Sequence, residues 1–129
     1  MAYVYSKGVF TPTYTGADSN PDVVYNEQFG VYVRIGNLVF IDIYLDVASA
    51  SGGSGAGQIS GLPFPSGSSN HNQNIPGLIP IPFGNWDLVL LPGTSIGQTG
   101  NGSGIIDVST MNTQVTLGPF QFNGCYYAD

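Results

Sequence analysis

Charge is what this chain has least of. Only 8% of its 129 residues are Asp, Glu, Lys or Arg, against roughly 25% in an average soluble domain, so solubility has to come from Ser, Thr, Asn, Gln and exposed backbone. Two basic residues against eight acidic ones leave a net charge of −6. No basic patch is available to neutralise a run of phosphates, and no direct nucleic-acid partner is expected. Cys125 is the single cysteine, which excludes an internal disulfide and a cysteine-based zinc site. No stretch approaches the ~20 continuous apolar residues of a membrane span. The first seven residues hold no long apolar core of a signal peptide, so the sequence reads as a protein made and kept in a cytosol, without a membrane partner. Long helices are excluded as well, because nineteen glycines and nine prolines are spread along the whole chain.

What is present is a sequence of short β-rich runs separated by turn formers. The length suits one domain with a real core and not two. Eight or so strands predict an all-β, single-domain antiparallel β-sandwich of jelly-roll-like type, with residues 1–8 as an N-terminal arm or edge strand and residues 9–129 as the sandwich domain.

The most legible run is residues 29–47, where apolar residues alternate on both sides of Gly36-Asn37, the pattern of a β-hairpin. Two registers compete. A two-residue loop puts Ile35 opposite Leu38 and mixes the faces. A three-residue loop, Gly36-Asn37-Leu38, pairs Ile35 with Val39 and Val33 with Ile41, giving one aliphatic face and collecting Tyr32, Arg34, Phe40, Asp42, Tyr44 and Asp46 on the other. The second is the expected register, and so aromatic an outward face is expected to meet another surface. Tyr32, Arg34, Phe40 and Tyr44, with Phe64 and Phe83, are the candidate subunit-interface residues.

Along the rest of the chain, Val9 to Thr15 is β-rich, with Pro12 suited to a sheet edge. Residues 23–28 lead into the hairpin with a kink expected at Gly30. Residues 48–57 are drawn only from Ala, Ser and Gly, and read as a flexible surface loop. Leu62 and Phe64 are expected to plug one end of the sheet pair. Residues 75–84 are apolar and studded with proline, which predicts an edge or interface segment. Residues 85–91 predict a buried strand, and residues 105–109, 114–117 and 120–127 predict the closing strands.

Chemistry is sparse. His71 lies among Asn70, Asn72, Gln73 and Asn74 and reads as a solvated loop residue with no orienting partner in sequence. Cys125 reads as a small buried hydrophobe, since no cation lies near it in sequence to lower its pKa. Asp42 and Asp46 share a strand face about 13 Å apart at ~3.3 Å per residue, too far for a two-carboxylate hydrolase pair by themselves. The glycine run at 52–55 lacks the lysine of a phosphate cradle. No cofactor, no metal site and no enzymatic activity are expected. Low charge with aromatic and proline-rich segments points instead to surface covered by copies of the chain or by a larger assembly.

Three segments carry a resemblance: Gly8-Val9-Phe10-Thr11-Pro12-Thr13, then Tyr25-Asn26-Glu27-Gln28-Phe29-Gly30-Val31-Tyr32-Val33-Arg34-Ile35-Gly36-Asn37, then Ile59-Ser60-Gly61-Leu62-Pro63-Phe64-Pro65. In order and spacing they resemble a module of virion structural proteins of tailed bacteriophages, which has a Gly-x-Tyr-x-Lys/Arg-Ile-Gly strand and a Ser-Gly-Leu-Pro-Phe box. The resemblance covers the first half of the chain. It implies a trimeric, β-rich particle protein in the virion, assembled in the host cytoplasm. Because the chain reaches the module within eight residues, with no fibre shaft ahead of it, the expected role is a capsid decoration or cement protein. Its partners would be itself, as a homotrimer, and the phage major capsid protein, with Tyr3, Tyr5 and Lys7 as capsid-contact candidates. The alternative is a tail-fibre or receptor-binding module holding a host surface glycan through Trp86, Asn70, Asn72 and Asn74.

Overall fold

In the computed structural model, which describes residues 5–68, 73–78, 85–101 and 104–129, the hairpin of residues 29–47 is the middle of two long strands. β3 runs Asp22–Ile35 and β4 runs Leu38–Ser51. The other described strands are β1 (Tyr5–Phe10), β2 (Thr13–Gly16), β5 (Gly57–Ser60), β6 (Gln73–Leu78), β7 (Asn85–Leu90), β8 (Ile96–Asn101), β9 (Gly104–Ile105) and β10 (Phe120–Tyr127), with one short helix, α1 (Val108–Gln114). Hydrogen bonding follows the order β1-β3-β4-β10-β6-β7-β8-β5-β2, with β9 on β8. Among the described residues, β10 and β6 share the pairs Gln121 with Leu78 and Phe122 with Gly77. That narrow corner separates a layer of β1-β3-β4-β10 from a layer of β6-β7-β8-β5-β2. The expected all-β antiparallel sandwich is the observed fold.

The core lies between the layers. β4 contributes Val39, Ile41, Ile43, Leu45 and Val47, and the facing layer contributes Ile59, Ile75, Trp86, Leu88 and Leu90, all buried. Burial of each such aliphatic side chain contributes about 1.5–3 kcal/mol, so a slip of β4 by one residue would turn five of them to solvent. Trp86 meets Phe120 edge-on at 5.9 Å, and Phe120 meets Phe122 at 6.0 Å.

The hairpin register differs from the expected one. Ile35 pairs with Leu38, Arg34 with Val39, Tyr32 with Ile41 and Val33 with Phe40, so the loop is Gly36-Asn37 alone. Gly36 has φ 59°, and among the described residues no non-glycine residue has positive φ. A glycine at the first central position followed by a residue at negative φ suits a type II′ turn, whose twist matches the paired strands. Sorting faces by polarity failed because Tyr32 and Arg34 have long apolar bodies that can lie inward, which leaves Val31, Val33 and Ile35 on the outer side.

Four further expectations are corrected. The irregularity in β3 falls on either side of Tyr25 and not at Gly30. Residues 48–51 are strand, with Ser49, Ala50 and Ser51 paired to Val24, Val23 and Asp22, because a ladder needs backbone and tolerates small side chains once its neighbours are fixed. Of the segment 75–84, expected at an edge or interface, residues 75–78 lie in β6, an interior strand between β7 and β10, with Pro76 outside the described pairs to β10, and residues 79–84 lie outside the described residues. Finally, of the strands expected at 105–109 and 114–117 only Ile105 is in a strand, β9, and residues 108–114 form α1. Val108, Met111 and Val115 are buried at the i, i+3, i+7 spacing of one helix face. Asp107 caps the helix, its carboxylate accepting from the Thr110 N–H at 3.0 Å and from the Ser109 hydroxyl at 2.9 Å. These bonds, the backbone one foremost, hold the Asp107 carboxyl below the usual carboxylate range.

Candidate interaction face

The three segments quoted above for their resemblance meet in space, on the inner side of β1 and β3. A methyl group on Gly30 would run into the Phe10 ring, and one on Gly8 into the Tyr32 ring, so each glycine gives its cross-strand aromatic room to lie flat on the sheet. Tyr32 packs edge-on to Phe64, with centroids 5.2 Å apart and planes at 89°. The Arg34 guanidinium carbon lies 4.6 Å above the same ring, while its Nε–H donates to Gly36 O at 2.7 Å and another N–H donates to Asp129 O at 3.3 Å. The hydroxyl of buried Tyr126 donates to Phe64 O at 2.7 Å and accepts from Phe64 N at 3.3 Å. Burial pushes the Tyr126 phenol up to about 12, against smaller lowering effects from the Phe64 backbone and Arg34. Tyr32, Arg34 and Tyr126 thus latch the Leu62-Pro63-Phe64 plug over one end of the core.

The outer side of the same layer is different. Strand alternation and the observed pairings place Tyr5, Ile35, Leu38 and Tyr127 in one row across β1, β3, β4 and β10. The next row is Lys7, Val33, Phe40 and Cys125, and the third is Val9, Val31, Asp42 and Asn123. Phe29, Tyr44 and Gln121 extend it by a partial fourth. None of these side chains is buried. Tyr5 is 61% exposed, Val9 70%, Tyr127 63%, Phe29 47%, Phe40 44% and Ile35 43%. Isolated exposed apolar residues are ordinary, but a contiguous plate of them marks an interaction surface. At its centre Val31, Val33, Phe40 and Asp42 border a shallow depression of roughly 180 Å³, floored by the strands at Tyr32 and Ile41.

The structure therefore divides the candidate interface residues. Phe40 and Tyr44 lie on the outer face, as do the capsid-contact candidates Tyr5 and Lys7. Tyr32 and Arg34 do not share that face; they turn inward to Phe64. Phe83, Tyr3 and His71 lie outside the described residues, as do Asn70 and Asn72. Cys125 is exposed on the outer face opposite Phe40, not buried as expected, because β10 turns its neighbour Tyr126 inward. Trp86 is 3% exposed and packed on Phe120, so its ring is not available to stack on a sugar; its indole N–H finds no acceptor among the described residues. Sequence reading missed Val9, Val31, Val33, Ile35 and Tyr127 as members of the plate. The signal that would have found them was the Gly36-Asn37 pair taken as a complete two-residue turn.

A second built feature is the polar network under α1. The Tyr14 hydroxyl donates to Asn112 Oδ1 at 2.8 Å and lies 3.2 Å from Val108 O, and Asn112 Nδ2 donates to Gly52 O at 3.0 Å. The Tyr14 backbone N–H donates to the Tyr25 hydroxyl at 2.9 Å. Burial raises both phenols above the ordinary tyrosine range. This network ties α1 to β2, to the bulge of β3 and to the reversal after β4. It holds no exposed reactive group.

No known family model matches the chain, and no curated protein does. Among solved structures it is similar to the crystal structure of Dettilon tailspike protein (gp208), with a TM-score of 0.66 and 22% sequence identity over 95% of this chain. The match occupies 24% of the tailspike chain, so the chain spans about a quarter of that protein's length, and at this identity the likeness is one of fold.

Proposed function

We propose that this chain is a non-enzymatic bacteriophage virion structural protein that acts as a homotrimer decorating the capsid, where it holds neighbouring shell subunits together. The observation that carries the reading is the exposed apolar plate on β1-β3-β4-β10. A cementing protein needs burial and no chemistry: at ~25 cal/mol per Å² of apolar area, a modest patch repeated over several copies becomes substantial. The fold likeness to a tailspike and the phage-like segments support the virion setting. In this reading Tyr5 and Lys7, on the outermost strand at the rim of the plate, are the described residues that reach past the joined copies to the shell. Deleting residues 1–8 would remove most of β1, so Tyr5→Ala with Lys7→Ala is the cleaner test of shell attachment.

The tailspike likeness favours a second reading, a receptor-binding module of the tail. Separating purified particles into heads and tails and probing each fraction with antibody decides between them. Protein in the heads supports cement; protein in the tails, together with binding to host cells that surface polysaccharide competes away, supports the second. Absence from particles removes both.

A further inference from the structure

We infer that the outer face of β1-β3-β4-β10 is covered by a second copy of this chain. The inference rests on the assembly reading above for its context and not on which part of a particle the protein occupies. Area is the first argument. At ~200 Å² per ring, the exposed fractions of Tyr5, Phe29, Phe40 and Tyr127 leave roughly 400 Å² of aromatic surface in water. Val9 and Ile35 add to it, and the half-buried residues between them complete one continuous plate. A standard interface takes ~800 Å² from each partner, so this face supplies about half as apolar centre from its most exposed side chains alone, with Asn123 and Gln121 at the margin.

Charge is the second argument, and it selects the occupant. Each copy carries a net charge of −6, so most pairs of surfaces repel. The rows from Tyr5 to Tyr44 hold one cation, Lys7, and one carboxylate, Asp42, and sum to zero, while the next pair on the same face, Glu27 and Asp46, stands as two carboxylates at the margin. The centre of the plate is a surface on which another acidic copy can settle with the Glu27–Asp46 pair left at the rim, and a basic partner would find no net attraction at that centre. The sheet is also open on that side, with no helix or loop among the described residues lying over it. Packing against a neighbouring copy would continue the layered architecture, with sheet faces ~10 Å apart. In the proposed trimer each copy would set this face on its neighbour.

Cys125 gives a native probe, because it stands on the plate beside Phe40 and is the chain's sole thiol. The test is the rate of thiol modification by a disulfide reagent, read beside the mass in solution by light scattering, for the wild type and for Phe40→Glu. Wild type should be oligomeric, with Cys125 reacting at least tenfold more slowly than in Phe40→Glu. The variant should run as a single 13.5 kDa chain with an unchanged far-ultraviolet β spectrum. Cys125→Ser in the wild-type background should leave the mass unaltered. A wild-type monomer overturns the inference, and so does an oligomer whose Cys125 reacts as fast as in the variant. If Phe40→Glu loses its β spectrum, Val9→Glu, at a 70% exposed site, replaces it under the same two readouts. Neither result depends on finding the protein in heads or tails.

Discussion

Phe64→Ala distinguishes the two sides of the hairpin layer, because Phe64 touches only the inner one. Full truncation of a buried Phe costs about 3–5 kcal/mol; Phe64 is half-buried, which brings the expectation to about 2 kcal/mol. The contacts account for it: the edge-on Tyr32 ring at 5.2 Å contributes about 0.5–1.5 kcal/mol and the Arg34 guanidinium about 0.5–1 kcal/mol. For a chain of this size that corresponds to a fall in Tm of about 6–10 °C. The assay is thermal unfolding followed by circular dichroism, in a Phe40→Glu background so that association adds nothing. Tyr32→Ala and the double variant complete a cycle, with an expected Tyr32–Phe64 coupling of about 0.5–1.5 kcal/mol. A change in Tm below about 2 °C, or a coupling near zero, would refute the latch and reopen Tyr32 and Arg34 as contacts between subunits.

Three further outcomes follow from local geometry. Gly57→Ala would drive a methyl group against the Met111 sulfur and the Thr99 hydroxyl, so it should cost about 1–3 kcal/mol in urea unfolding; a neutral result would mean that α1 shifts freely. Asp107 has a depressed folded-state pKa, so its cap contributes fully above the ordinary value of 3.8 and is lost as pH falls through the lower folded value. Asp107→Ala should therefore lower Tm at neutral pH by a margin that shrinks as pH falls below 3.8, and a gap that does not shrink in acid would contradict the electrostatic cap. Tyr126 has a raised pKa, so its stabilisation is complete below pH 10 and lost as pH rises through about 12. Tyr126→Phe should cost about 1–2 kcal/mol at neutral pH and show a shallower alkaline loss of stability than wild type.

Much of the architecture was legible because it follows from alternation. The five aliphatic residues of β4 announce a buried face, and the density of glycine and proline announces short strands and tight turns. Register was not legible from polarity alone. Both hairpin registers bury apolar atoms, and the choice was made by the backbone at Gly36 and by Phe64, a ring nearly thirty residues further on. The helix was missed for a related reason: Val108, Met111 and Val115 sit in a stretch rich in Ser, Thr and Val, whose strand propensity is overridden once three side chains can be buried together and Asp107 caps the start. Cys125 and Tyr126 show the same limit, since two adjacent apolar residues at a strand's end give no sign of which one faces in. The interaction face depended on all of these choices. Its membership could be read only after the register was known.

The central claim is that this face joins copies of the chain, and sedimentation equilibrium of two matched variants tests it most directly. Val33→Glu places a charge in the middle of the plate, while Ile105→Glu places one at a 61% exposed apolar site on β9, in the other layer. The account predicts that Ile105→Glu sediments as the wild-type oligomer and that Val33→Glu sediments as a single 13.5 kDa chain. Equal masses for the two variants would contradict it.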